Sequence, residues 1–144
     1  MEPTWILVAD GARARLFTAE RPRGPLTQQA EYANPDDRLR DRELTSDAPG
    51  RGNKAADGSR YAMGEDDARD ELVRRFAREL AEVLRKGQLA HQFARLYLVA
   101  PPRFLGVLRE AMDGATSAVV VESINKDVVG EKPEAIRSHL PDRL

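Results

Sequence analysis

Apolar residues recur along this chain in two rhythms, and these divide it into elements. Residues 4–9 (TWILVA) are a continuous apolar run ending at Asp10-Gly11, a tight-turn dipeptide. Residues 12–18 then alternate, with Arg13 and Arg15 on one face and Ala14, Leu16 and, less strictly, Phe17 toward the core. Two such runs flanking Asp-Gly predict a β-hairpin. Arg21-Pro22-Arg23-Gly24-Pro25 is a second turn. Residues 26–33 (LTQQAEYA) predict a third strand, polar enough to belong at a sheet edge.

The rhythm then becomes helical. Leu72, Phe76, Leu80 and Val83/Leu84, joined by Val73 and Ala77, predict a helix capped by Asp66 or Asp67 and running to about Lys86, with Gly87 as its stop. Asp70–Arg74, Glu71–Arg75 and Glu82–Lys86 stand four apart as favourable ion pairs. Arg85 and Lys86 suit the negative end of the helix dipole. Residues 95–100 (RLYLVA) read as a buried parallel strand that Pro101-Pro102 stops. Phe104, Leu105, Leu108 and Met112 predict a short helix ending near Gly114. Residues 117–124 (SAVVVESI) predict the last strand, Asn125-Lys126-Asp127 a turn, and Pro133 the first turn of a final helix carrying Ile136 and Leu140.

A chain of 144 residues fits one domain, expected over residues 1–144. The predicted fold is α/β, with a single mixed β-sheet. An N-terminal antiparallel hairpin and third strand are followed by α-β-α-β-α, whose helical connections imply right-handed parallel crossovers. This is the ribonuclease-H-like layout.

Residues 35–66 interrupt the pattern. They set Arg38, Arg40, Arg42, Arg51, Lys54 and Arg60 against Asp36, Asp37, Asp41, Glu43, Asp47 and Asp57, with Gly50, Gly52, Gly58 and Gly64 between. Leu39, Leu44, Tyr61 and Met63 are too few to build a core, so the segment is expected to be a long polar loop before the main helix. Loops of this length inside a compact domain are usually functional or disordered.

Composition narrows the chemistry. Lys and Arg total 23 against 24 Asp and Glu, a formal net charge of −1, which excludes a strongly basic nucleic-acid binder. With no cysteine, thiolate metal sites, thiol catalysis and disulfide scaffolds are excluded. No apolar run approaches the ~20 residues of a membrane span, and no signal-peptide pattern opens the chain, so the cytoplasm is expected and a membrane partner is not. Gly50-Arg51-Gly52-Asn53 is no P-loop, because no Gly-Lys-Ser/Thr follows, yet two glycine amides beside an arginine can hold an anion. Asp10, Asp47 and Asp127 are the acids a two-metal phosphodiesterase would draw on, but strands 4–9 and 95–100 contain none. His91 and His139 have no Ser or Asp at triad spacing. No cofactor or metal is expected.

Several segments together resemble one family. TWILVADGARARLF, NPDDRLRDRELTSDAPGR, RFARELAEVL, LYLVAPPRFLGVLRE, and ESINKDV followed by EAIRSHL resemble the bacterial host attachment proteins over essentially the whole chain. Those proteins are similar in turn to the middle domain of eukaryotic and archaeal peptide-chain release factors. There the loop before the long helix carries Gly-Gly-Gln to the peptidyl-transferase centre. Here that place reads Pro49-Gly50-Arg51-Gly52-Asn53-Lys54, without the paired glycine and the glutamine. The resemblance therefore implies a ribosome- or tRNA-facing loop rather than peptidyl-tRNA hydrolysis.

The reading that follows is a non-enzymatic cytosolic binding protein that engages the ribosome or a structured RNA. Asp47, Gly50, Arg51, Gly52, Lys54 and Arg60 are the candidate anion- or RNA-binding residues, and Lys126 and Asp127 the secondary candidates. The alternatives are a protein-interaction factor that affects attachment indirectly, and a metal-dependent phosphodiesterase or degenerate peptidyl-tRNA hydrolase.

Overall fold

The computed structural model describes residues 3–34 and 58–144, with side chains described over 3–34 and 68–144. Its elements are β1 (Thr4–Ala9), β2 (Arg13–Ala19), β3 (Thr27–Ala33), α1 (Gly58–Leu89), β4 (Arg95–Ala100), α2 (Pro102–Ala111), α3 (Gly114–Ala118), β5 (Val120–Asn125) and α4 (Pro133–Ser138). The strands form one mixed sheet in the order β3-β2-β1-β4-β5. β1 pairs antiparallel with β2 and parallel with β4, while β5 continues parallel beyond β4.

The centre of the sheet is where the sequence is most continuously apolar. All six residues of β1 are buried, because both of its faces are covered. One face carries Trp5, Leu7, Leu16, Leu96 and Leu98 against Phe76, Leu80 and Leu84 of α1 and Phe104, Leu105 and Leu108 of α2. The opposite face carries Ile6, Val8, Phe17, Tyr97 and Val99 against Val128, Val129, Ile136, Leu140 and Leu144. Among the described residues that second cover contains one short helix, and arginines tie it down. Arg137 donates to the carbonyls of Gly24, Pro22, Pro141 and Asp142. Arg15 lies 5.0 Å over the Phe17 ring and donates to the carbonyls of Val129 and Glu131. The polar β3 sits at the edge, as its composition predicts.

The structure departs from the sequence reading in four places. α1 opens at Gly58, so residues 58–66, expected in the loop, are helical and Asp66 and Asp67 lie inside the helix rather than at its cap. Once a long helix is nucleated, each added residue gains a backbone bond, which offsets the roughly 1 kcal/mol a helical glycine costs. Gly87 does not stop α1, which runs on to Leu89. The chain reverses instead at His91, whose φ of 56° is left-handed, with the Gln92 amide donating to the Gly87 carbonyl. Ser117 and Ala118, expected in the last strand, belong to α3, where the Asp113 carboxylate accepts from the Thr116 amide at 2.8 Å and caps the turn. The ion pairs on α1 also differ. Glu71 binds Arg74 and Arg78, and Glu82 binds Arg85, while Asp70 reaches Arg103 on α2.

Candidate functional site

β3 runs antiparallel to β2, which runs antiparallel to β1, so β1, β3, β4 and β5 all point the same way. Their carboxyl ends share one edge of the sheet. Four connections leave from that edge, at Asp10-Gly11, Asn34, Pro101 and Lys126.

Two of these exits are tied down. The Asp10 carboxylate accepts from the amides of Ala12 at 2.8 Å and Arg13 at 2.9 Å, which sets the hairpin turn. Asn34 is 5% exposed. Its amide nitrogen donates to the Gly11 carbonyl at 3.2 Å and the Leu72 carbonyl at 3.3 Å, and its backbone N–H to Ala12. One side chain thus stitches the β1–β2 turn to α1.

Beside this stitch α1 and α2 leave a crevice of about 290 Å³ over Gly11. Its apolar lining is Val73, Pro101, Phe104 and Val107, and its polar lining is Arg69, Asp70, Arg74 and Arg103. Gly11 forms its base, with Val73 3.4 Å from where a Cβ on Gly11 would lie. Arg103 spans the opening, with Nη2 2.7 Å from Asp70 Oδ1, and its side chain is 82% exposed. Arg74 is bound to Glu71, which also accepts from Arg78 at 2.9 Å. Arg78, and then Arg74, hold the Glu71 carboxyl below the ordinary glutamate range. Ion pairs at this exposure are weak, so an incoming anion can compete for Arg74 and Arg103.

The structure treats the sequence-predicted residues unequally. Asp47, Gly50, Arg51, Gly52 and Lys54 lie outside the described residues. Arg60 falls on the first turn of α1. Lys126 and Asp127 are exposed at the carboxyl edge, where the Lys126 amide donates to the Ala100 carbonyl at the end of β4. Asp10 is engaged by its turn, and among the described residues no group of three or more His, Asp or Glu side chains can hold a metal ion. His139 pairs with Glu131 at 3.2 Å, away from the crevice. Among the described residues no helix is long and apolar enough to cross a membrane. Sequence reasoning passed over Asn34, Arg69, Arg74 and Arg103. The available signal was Pro101-Pro102-Arg103, which places a cation where a buried parallel strand stops.

Residues 5–140 match the family model described as "Protein required for attachment to host cells", and the chain belongs to that family. No curated protein matches the chain.

Proposed function

We propose that this member of the host attachment family is a cytoplasmic binding protein whose carboxyl sheet edge engages the ribosome or another structured RNA. The observation that carries the reading is a set of cations at one edge, two of which, Arg74 and Arg103, sit in exposed ion pairs with Glu71 and Asp70 that a phosphate can displace. Arg69, Arg74 and Arg103 line the crevice, and Lys126 follows β5 at the same edge. The segment bearing Gly50, Arg51, Gly52 and Lys54 departs from that edge at Asn34 and rejoins the structure in the helix that carries Arg60 and Arg69. With a net charge of −1, and with Asp70, Glu71 and Asp127 at the same edge, the chain would hold a polyanion by exchanging these exposed ion pairs rather than through a net positive field. Its effect on attachment to host cells is then indirect, through translation or RNA.

Co-sedimentation with ribosomes from lysate, at low and at moderate salt, tests this. Phosphate contacts release counterions, so the association is expected to weaken steeply with salt. An Arg51→Ala/Arg60→Ala variant is expected to stay in the supernatant. Wild-type protein that remains at the top of the gradient at low salt overturns the reading.

A further inference from the structure

We infer that the crevice over Gly11 is a binding site for a small organic phosphate of mononucleotide size. The inference shares the crevice arginines with the ribosome reading, but it concerns a cavity that one nucleotide fills and is tested without ribosomes. Its position is the first argument. In open sheets with parallel strands, ligands bind outside the carboxyl ends where connections from adjacent strands depart in opposite directions. β1 leads into β2 on one side, and β4 leads through α2 toward β5 on the other. The crevice lies between those two exits, lined by Gly11 from one and by Pro101 and Arg103 from the other.

Size and lining give the class of ligand. About 290 Å³ is the lower edge of small-molecule pockets, which run roughly 300–1,000 Å³. The cavity suits one nucleotide unit, not a dinucleotide. Val73 and Val107 offer an apolar wall to a base or another flat apolar body. Arg74 and Arg103 stand on facing helices, and their planar guanidinium groups match phosphate oxygens two at a time. Asp70 already occupies Arg103 in an exposed pair, so a ligand has to replace a carboxylate there, which the charge and three oxygens of a phosphate suit better than a second carboxylate. The unit can be a free mononucleotide or the unpaired end of an RNA.

The test is titration calorimetry of the full chain with the four nucleoside 5′-monophosphates, their parent nucleosides, inorganic phosphate and a trinucleotide. At least one monophosphate is expected to bind at least tenfold more tightly than its nucleoside and than phosphate. An Arg74→Ala/Arg103→Ala variant, altered only at exposed side chains, is expected to lose at least tenfold. Val107→Trp, which fills the cavity and spares both arginines, is expected to lose binding as well. Arg51→Ala/Arg60→Ala is expected to bind mononucleotide normally, so that this inference and the ribosome reading fail separately. A trinucleotide that binds more tightly than the monophosphate assigns the site to an RNA end, and equal affinity assigns it to the free nucleotide. No binding by any monophosphate, equal binding of inorganic phosphate, or unchanged affinity in the arginine variant overturns the inference.

Discussion

The two ends of the sheet treat the same helix in opposite ways. At the amino edge, Trp5 at the start of β1 stacks on Phe93 with ring centroids 4.5 Å apart, and α1 crosses directly on the Trp5 ring at Gly87. Nothing larger than hydrogen fits between them: a Cβ on Gly87 would stand 2.5 Å from Trp5 Cη2 and 3.1 Å from Phe93 Cε1. At the carboxyl edge, α1 and α2 frame a crevice and meet across it through an exposed Arg103–Asp70 pair. Closure at one end rests on aromatic area and a missing side chain. At the other, charged side chains of the two helices, Asp70 and Arg74 facing Arg103, line the gap in place of aromatic area. A helix held firmly at one end can border an open crevice at the other without losing its place on the sheet.

Breaking the closed end gives the largest expected effect. Trp5→Ala removes a buried aromatic from both the stack and the core, and such truncations cost about 3–5 kcal/mol. A urea unfolding midpoint well below wild type checks it; an unchanged midpoint would mean that the amino edge does not anchor α1. Gly87→Ala comes next. Alanine is the better helix former by roughly 1 kcal/mol. The added methyl, however, has to displace an indole held in place by Phe93, and overpacking of this kind costs about 1–3 kcal/mol. The net outcome is destabilisation, where an exposed helical glycine would give the opposite sign in the same measurement.

Asn34→Ala sharpens the comparison from the open side. It removes the donors to the Gly11 and Leu72 carbonyls at a residue that is almost fully buried. Leaving such acceptors unmatched costs about 1–3 kcal/mol. Faster hydrogen exchange is expected in the β1–β2 turn and around Leu72, with Trp5 and Phe93 keeping wild-type protection. Loss of protection at both edges together would show that the two ends are not energetically separate.

The features legible in the sequence were those with a local signature. The continuous runs of β1 and β4 betray strands covered on both faces, and the polar LTQQAEYA betrays an edge. The face formed by Phe76, Leu80 and Leu84 repeats at helical spacing and packs on the sheet as read. Gly87 was misread because a glycine near a helix end has the same local appearance whether it caps the helix or admits a ring from β1, more than eighty residues away in sequence. Arg15 was placed on a face, but its hold on Val129 and Glu131 depends on the distant C-terminal cover. The crevice was illegible for the same reason. Gly11, Arg74 and Arg103 share no motif and meet only after β1, α1 and α2 have packed.

The smallest expected effect concerns Glu71, which binds Arg74 beside the crevice and Arg78 one turn further on. These hydrogen bonds, Arg78 first, lower the folded-state carboxyl below its ordinary range. A lowered acid favours the folded state above the unfolded-state titration point, and that contribution is lost as pH falls through the lower folded value. Wild type is therefore expected to melt slightly above Glu71→Gln near neutral pH, with the gap closing in the acid range and shrinking in high salt, since exposed pairs are screened. The same substitution releases Arg74 toward the crevice. If Arg74 contacts phosphate there, Glu71→Gln strengthens mononucleotide binding while it weakens the fold. A variant that loses stability with no gain in affinity would place Arg74 in the helix surface network alone.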